Sequence, residues 1–155
     1  MPFARKNPEL VATVFDLPGV IPLAKKYVAE TEVKERVKYI AGDMRTDPFG
    51  ENYDLVLLAA ICHMWGPKQN QELFAKCGKA LKKDGRIVVV DFILNESRTA
   101  PTQAAMFAIN MLVSTREGNT YAAGEYIAWL ERSGFTGAKA VEVEGAADMI
   151  VARKR

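Results

Sequence analysis

Short apolar runs along this chain alternate with longer stretches in which apolar residues recur every third or fourth position. The runs at 10–16 (LVATVFD), 36–43 (RVKYIAGD), 53–61 (YDLVLLAAI) and 85–94 (GRIVVVDFIL) read as strands, being rich in β-branched and aromatic residues. The run at 53–61 is nearly continuous in apolar residues, which predicts a strand covered on both faces. The stretches 20–30, 67–85, 99–115 and 122–135 read as helices. Phe74, Cys77 and Leu81 fall at helical spacing, and Lys82-Lys83-Asp84-Gly85 and Gly134 supply stop signals. The end of the chain, 138–155, alternates in KAVEVE and contains a glycine turn, which predicts an antiparallel hairpin.

Strands alternating with helices predict an α/β fold. Its sheet is expected to be mostly parallel, with helices on both faces and an antiparallel hairpin at the C-terminus. The length, 155 residues, suits one domain with a substantial core, and no internal repeat is visible. In such sheets ligands bind beyond the carboxyl ends of the strands. Four residues with useful chemistry stand there: Asp16, Asp43, His63 and Asp91.

Composition narrows the partners. The net charge is +2, so nothing argues for nucleic acid, and the basic tail ARKR reads as a solvated terminus. No apolar run approaches the ~20 residues that span a bilayer, and MPFARKNPEL lacks the apolar centre of a signal peptide. Cys62 and Cys77 form neither a metal-ligand pair nor a disulfide framework, so no metal is expected. They read as reduced packing thiols of a cytoplasmic protein.

Each strand-end residue has a chemical reading beside a structural one. Asp16 offers two acceptor oxygens that suit both hydroxyls of a ribose, or it caps the turn before Pro18. Asp43 can accept from an exocyclic amine, with Gly42 admitting a flat ring and Met44 covering its face, although Gly-Asp is also a common turn. His63, the only histidine, can take a proton from a hydroxyl near neutral pH. Asp91 can hold one imidazole tautomer by accepting from its second N–H, or it caps a loop. If their two strands are parallel neighbours, the ends lie about 5 Å apart.

The stretches VFDLPGV, VKYIAGDM, YDLVLLAAICHMWG, ALKKDGRIVVVDFIL and GEYIAWLERSGF occur in an order and spacing that resemble one family. It is the C-terminal catalytic domain of small-molecule O-methyltransferases that use S-adenosyl-L-methionine, of the caffeate and hydroxyindole type. The resemblance covers almost the whole chain and implies a Rossmann-like class I methyltransferase sheet. It implies that Asp16 and Leu17 bind the adenosyl ribose and border the adenine, and that Asp43 and Met44 meet the base. It further implies that His63 is the general base for a hydroxylated small-molecule acceptor, oriented by Asp91. The acceptor pocket would draw on Trp65, Met106, Phe107, Asn110 and Met111, for which core packing at helical spacing is the other reading.

Three departures accompany the resemblance. The family's first strand and glycine-rich loop precede the helix that ends at FARKNPEL, inside which this sequence starts. The expectation is therefore a single, N-terminally incomplete catalytic domain over 1–155, whose exposed strand edges favour a homo-oligomer. Ala59 stands where the family often has lysine, and the family's second orienting acid aligns near Thr120. The alternative is a non-catalytic interaction module descended from such an enzyme. A nicotinamide-dependent oxidoreductase ranks below both, because the chain has no G-x-G-x-x-G.

Overall fold

The computed structural model describes residues 2–142 and 148–155. The chain divides into two compact units, residues 1–49 and 50–155.

The first unit contains α1 (Pro2–Lys6), β1 (Ala12–Asp16), α2 (Ile21–Ala29), a 3-10 turn (Lys34–Arg36) and β2 (Val37–Ala41). β1 and β2 pair in parallel, with Ala12 opposite Val37 and Asp16 opposite Ala41. Pro22 lies in the first turn of α2, where its missing N–H costs nothing. Ala4, Val28, Val33 and Val37 form the core, with Leu10, Val14 and Tyr39 packed against it. The Arg36 guanidinium donates to the carbonyls of Ala4, Asn7 and Leu10. It thereby satisfies the Ala4 carbonyl that the short helix leaves open and ties down the segment leading to β1.

The second unit runs through β3 (Tyr53–Ala59), a 3-10 turn (Cys62–Met64), α3 (Pro67–Ala80), β4 (Leu81–Val90) and β5 (Ile93–Leu94). It continues with α4 (Thr102–Ser114), β6 (Tyr121–Ala122), α5 (Ala123–Arg132), β7 (Phe135–Val141) and β8 (Met149–Lys154). Four strands form one sheet in the order β3-β4-β8-β7. β3 and β4 are parallel, whereas β8 runs antiparallel to both β4 and β7. β5 and β6 form a separate parallel pair. α3 and α5 pack on one another, α3 against β4 and α5 against β7 and β8. Phe74, Ile87, Tyr126, Leu130, Phe135 and Ile150 are fully buried in this unit.

Several boundaries differ from the sequence reading. The helix expected over 67–85 stops at Ala80, because Leu81 turns extended and pairs with Tyr53. Asp84, in the left-handed region at φ 62°, then makes the bend that the Lys-Lys-Asp-Gly signal marks. The helix expected to reach Phe135 ends at Arg132, and Gly134 at φ 92° reverses the chain so that Phe135 starts β7. The hairpin begins earlier than expected, with a bulge between Thr136 and Lys139 where Gly137 has φ 63°. Its expected glycine turn lies outside the described residues.

The expectation that 53–61 is covered on both faces fails. β3 pairs only with β4 among the described residues, and Leu55 and Leu57 are 50% and 41% exposed. A run of apolar residues reports the burial its side chains favour. It does not report which neighbours the strand finds.

Candidate active site

His63 is reached through a sharp exit from β3. Ala60 has φ 55°, a left-handed conformation that costs a residue with a Cβ about 1–2 kcal/mol. Its N–H still donates to Val90 O at 2.9 Å, so the ladder with β4 runs one residue beyond the strand. The 3-10 turn Cys62–Met64 follows, and it brings His63 back over the end of β4.

Asp91 is the next residue of that neighbour. Because Ala59 pairs with Val90, the parallel register brings the two strand exits together across 28 residues of sequence. His63 Nδ1 lies 2.7 Å from Asp91 Oδ1. The His63 backbone N–H donates to Asp91 Oδ2 at 3.1 Å, and the Phe92 N–H donates to Oδ1 at 2.8 Å. A carboxylate with 2% exposure is thus met by three donors, as a buried charge requires. Because a carboxylate only accepts, Nδ1 carries the proton and Nε2 keeps its basic lone pair.

The imidazole is also held by its neighbours. Phe107 from α4 meets it edge-on at 4.9 Å, and Phe92 stacks on Phe107 at 4.1 Å. The His63 side chain is 10% exposed. Burial first, and the Asp91 charge second, push the Cys62 thiol and the Tyr126 phenol well above their ordinary values. Burial also pushes the Cys77 thiol up to about 12. Neither cysteine is a nucleophile at neutral pH.

The first unit places the other two acids at adjacent strand ends. Asp16 closes β1, and its carbonyl accepts the Gly42 N–H at 2.9 Å, so Asp43 follows directly on the neighbouring strand. Asp16 Oδ1 accepts the Leu17 N–H at 2.8 Å, and Leu17 itself is 49% exposed. Asp43 and Met44 are half-buried. The Arg45 guanidinium engages both Asp43 oxygens, with Nε at 3.0 and 2.9 Å, an arrangement the sequence reading did not foresee.

Gly42 also differs from its expected use. A Cβ there would stand 2.8 Å from the ring of Phe15 and 3.1 Å from Asp47 Cβ. The flat ring it admits is the protein's own. Gly42→Ala is expected to destabilise by about 1–3 kcal/mol, measured as a lowered denaturant midpoint at unchanged slope.

The residues proposed to line an acceptor pocket separate. Met106 is 62% exposed and Asn110 is exposed, whereas Met111 is 6% exposed. Met106 and Asn110, four residues apart, share an exposed face of α4, whereas Met111 lies on the buried side; Phe107 from the same helix meets the imidazole. Trp65 is half-buried, its Nε1 is buried with no hydrogen-bond partner among the described residues, and its carbonyl accepts from the Tyr121 hydroxyl at 2.5 Å. Thr120 is buried and donates to Ala104 O at 3.1 Å. Among the described residues no cluster of side chains could hold a metal ion. No helix among them is long and apolar enough to cross a membrane.

Asn70 was overlooked in the sequence. It is fully buried on α3, on the same stripe as Phe74 and Cys77. A polar residue at an apolar-stripe position was the available signal.

Comparisons with known proteins bear on the family of the chain. At 35% identity the chain resembles the 3-hydroxy-5-methyl-1-naphthoate 3-O-methyltransferase of Streptomyces sahachiroi, over 84% of this chain and 37% of the relative. A solved structure of a protein assigned as an O-methyltransferase, from Nostoc punctiforme PCC 73102, superposes with a TM-score of 0.94 at 31% identity. It covers 98% of this chain and 47% of that one. Human N-acetylserotonin methyltransferase, solved in complex with SAM, superposes with a TM-score of 0.87 at 30% identity, over 97% of this chain and 42% of that one. The chain spans less than half the length of the curated relatives it matches. With the O-methyltransferase domain model matching residues 2–136, and with parallel strand ends carrying the acids and the imidazole, the chain belongs to the O-methyltransferase domain family.

Proposed function

We propose that this chain is the acid–base and nucleoside-binding part of an S-adenosyl-L-methionine-dependent O-methyltransferase. The acceptor is a hydroxyl on a small, aromatic or polyketide-like molecule. The observation that carries the reading is the buried His63–Asp91 pair, Nδ1 to Oδ1 2.7 Å. An imidazole fixed in this tautomer presents Nε2 to an acceptor hydroxyl and removes its proton as the oxygen attacks. Asp91 then stabilises the imidazolium that forms. The naphthoate and N-acetylserotonin names of two relatives support an aromatic acceptor.

The cofactor supplies an electrophilic sulfonium methyl. The first unit fits its nucleoside. Asp16 spends one oxygen on Leu17 N–H and has the other for ribose hydroxyls, and Asp43 stands on the adjacent strand end with apolar Leu17 and Met44 at hand. Because Arg45 engages the Asp43 carboxylate, an adenine amine would share that carboxylate with the guanidinium. Calorimetry with S-adenosylhomocysteine tests the assignment. Asp16→Ala is expected to weaken binding about tenfold, as loss of a hydrogen-bonded charge does. Unchanged affinity would remove Asp16 from the site.

The second reading is an interaction module without turnover. It is favoured by Thr120, which stands where a second orienting acid would, and whose hydroxyl is committed to Ala104 O. Cofactor binding together with no transfer to any hydroxyarene would decide for it. We also place the protein in the cytoplasm as a homo-oligomer. Support comes from the free buried thiols and from the exposed α4 side chains of Met106, Ile109, Leu112 and Val113. Light scattering reads the oligomeric state directly.

A further inference from the structure

We propose that Asn70 is a positioning residue, pinning the 3-10 turn on both sides of His63 so that the imidazole stays on Asp91. The inference rests on the reading of His63 as the proton acceptor. The Asn70 Nδ2 group donates to Cys62 O at 3.0 Å and to Trp65 O at 3.1 Å. One amide therefore holds the carbonyl before His63 and the carbonyl two residues after it. Both partners are acceptors, so only the NH2 edge of the amide serves and a flipped amide would meet them with its oxygen.

The mount is rigid. Asn70 lies in the first turn of α3, where its own N–H donates to Gly66 O at 3.1 Å. Its side chain is fully buried, so water does not compete for the two bonds. Tyr121 adds a hydroxyl donor to the same Trp65 carbonyl, and burial, the largest cause, pushes that phenol up to about 12, which keeps it protonated. The Asn119 N–H donates to a further carbonyl of the turn, His63 O, at 2.9 Å.

The Cys62–His63 peptide controls two contacts at once. Its N–H meets Asp91 Oδ2, and its rotation would swing the His63 Cβ and carry Nδ1 off Oδ1. Asn70 holds the carbonyl of that same peptide. Just upstream, Ala60 leaves β3 in the left-handed region at φ 55°, so the chain enters the turn through a sharp bend. This assigns the buried amide a role that packing on α3 does not require, since an apolar residue would fill the stripe as well.

The protein contains one histidine, so its imidazole signals in nitrogen-15 NMR need no assignment. In the parent chain we expect a single tautomer with the proton on Nδ1 and slow exchange of that proton with water. In Asn70→Leu we expect exchange about tenfold faster or more, with both tautomers populated, as follows from losing two buried hydrogen bonds. Amide spectra of β3 and β4 establish that the variant is folded. A folded Asn70→Leu with unaltered tautomer and exchange overturns the proposal. If Asn70→Leu does not fold, Asn70→Ala is read by the same criteria. Tyr121→Phe, which deletes one hydroxyl on the shared carbonyl, is expected to move exchange in the same direction by less. A parent imidazole already averaging between tautomers would instead remove the His63–Asp91 pair, and with it the functional reading itself.

Discussion

Replacing His63 with alanine is expected to lower methyl transfer about 100-fold or more while leaving S-adenosylhomocysteine affinity within about twofold. The split follows from the structure. The imidazole belongs to the turn after β3, whereas Asp16 and Asp43, the proposed nucleoside contacts, belong to the β1–β2 pair. The side chain is buried against Phe107, so the alanine also opens a small gap; a melting curve separates that cost from lost chemistry. Turnover within a few-fold of the parent would remove His63 from the mechanism and favour the interaction module.

Asp91→Asn should be at least as damaging to turnover and worse for stability. The carboxylate now accepts three hydrogen bonds, from His63 N–H, His63 Nδ1–H and Phe92 N–H. An amide of the same shape has one oxygen for three donors: its NH2 faces the His63 N–H in one orientation, and both Nδ1 and the Phe92 N–H in the other. The imidazole can answer by moving its proton to Nε2 so that Nδ1 accepts. That removes the basic lone pair from the reacting side. A loss of about 10³-fold or more in kcat is expected, since a wrong tautomer in a His–Asp pair has effects of that order. The buried unsatisfied donor should cost about 1–3 kcal/mol, visible in denaturant unfolding. Asp91→Ala strands all three donors and should be less stable still. A kcat within tenfold of the parent for Asp91→Asn would mean that the imidazole needs no partner, and the pair would then be a structural contact.

Both expectations rest on a contact between residues 28 positions apart. The sequence could name its two ends because each stands just past an apolar run, and ligand sites in α/β sheets gather at strand exits. It could not say that the strands are neighbours. Pairing depends on which edge a strand finds, and a run such as VVV carries no record of its partner. The same limit explains β3. Its apolar run looked doubly covered, yet Leu55 and Leu57 lie exposed on a strand paired along one edge.

Helix existence was easier to read than helix extent. The stripe of Phe74 and Cys77 marked α3, but Leu81 was taken from the helix by its pairing with Tyr53. The acceptor-pocket residues were the least legible. Helical spacing placed Met106, Asn110 and Met111 on one element, but one residue of offset is a rotation of about 100°. That rotation separates exposed Asn110 from buried Met111.

By itself the sequence determined the alternation of strand and helix, the acids and the imidazole at strand exits, and the family pattern they compose. Local order of apolar and polar residues suffices for those, because period and turn chemistry are short-range. Only the tertiary structure decided that β3 and β4 are adjacent, that Nδ1 rather than Nε2 faces Asp91, that Arg45 occupies the Asp43 carboxylate, and that Asn70 spans the turn around His63. Each of these is a hydrogen bond whose geometry must hold within a few tenths of an ångström. Apart from the Arg45 and Asn70 contacts, which are local, each depends on packing between segments that the linear order leaves far apart.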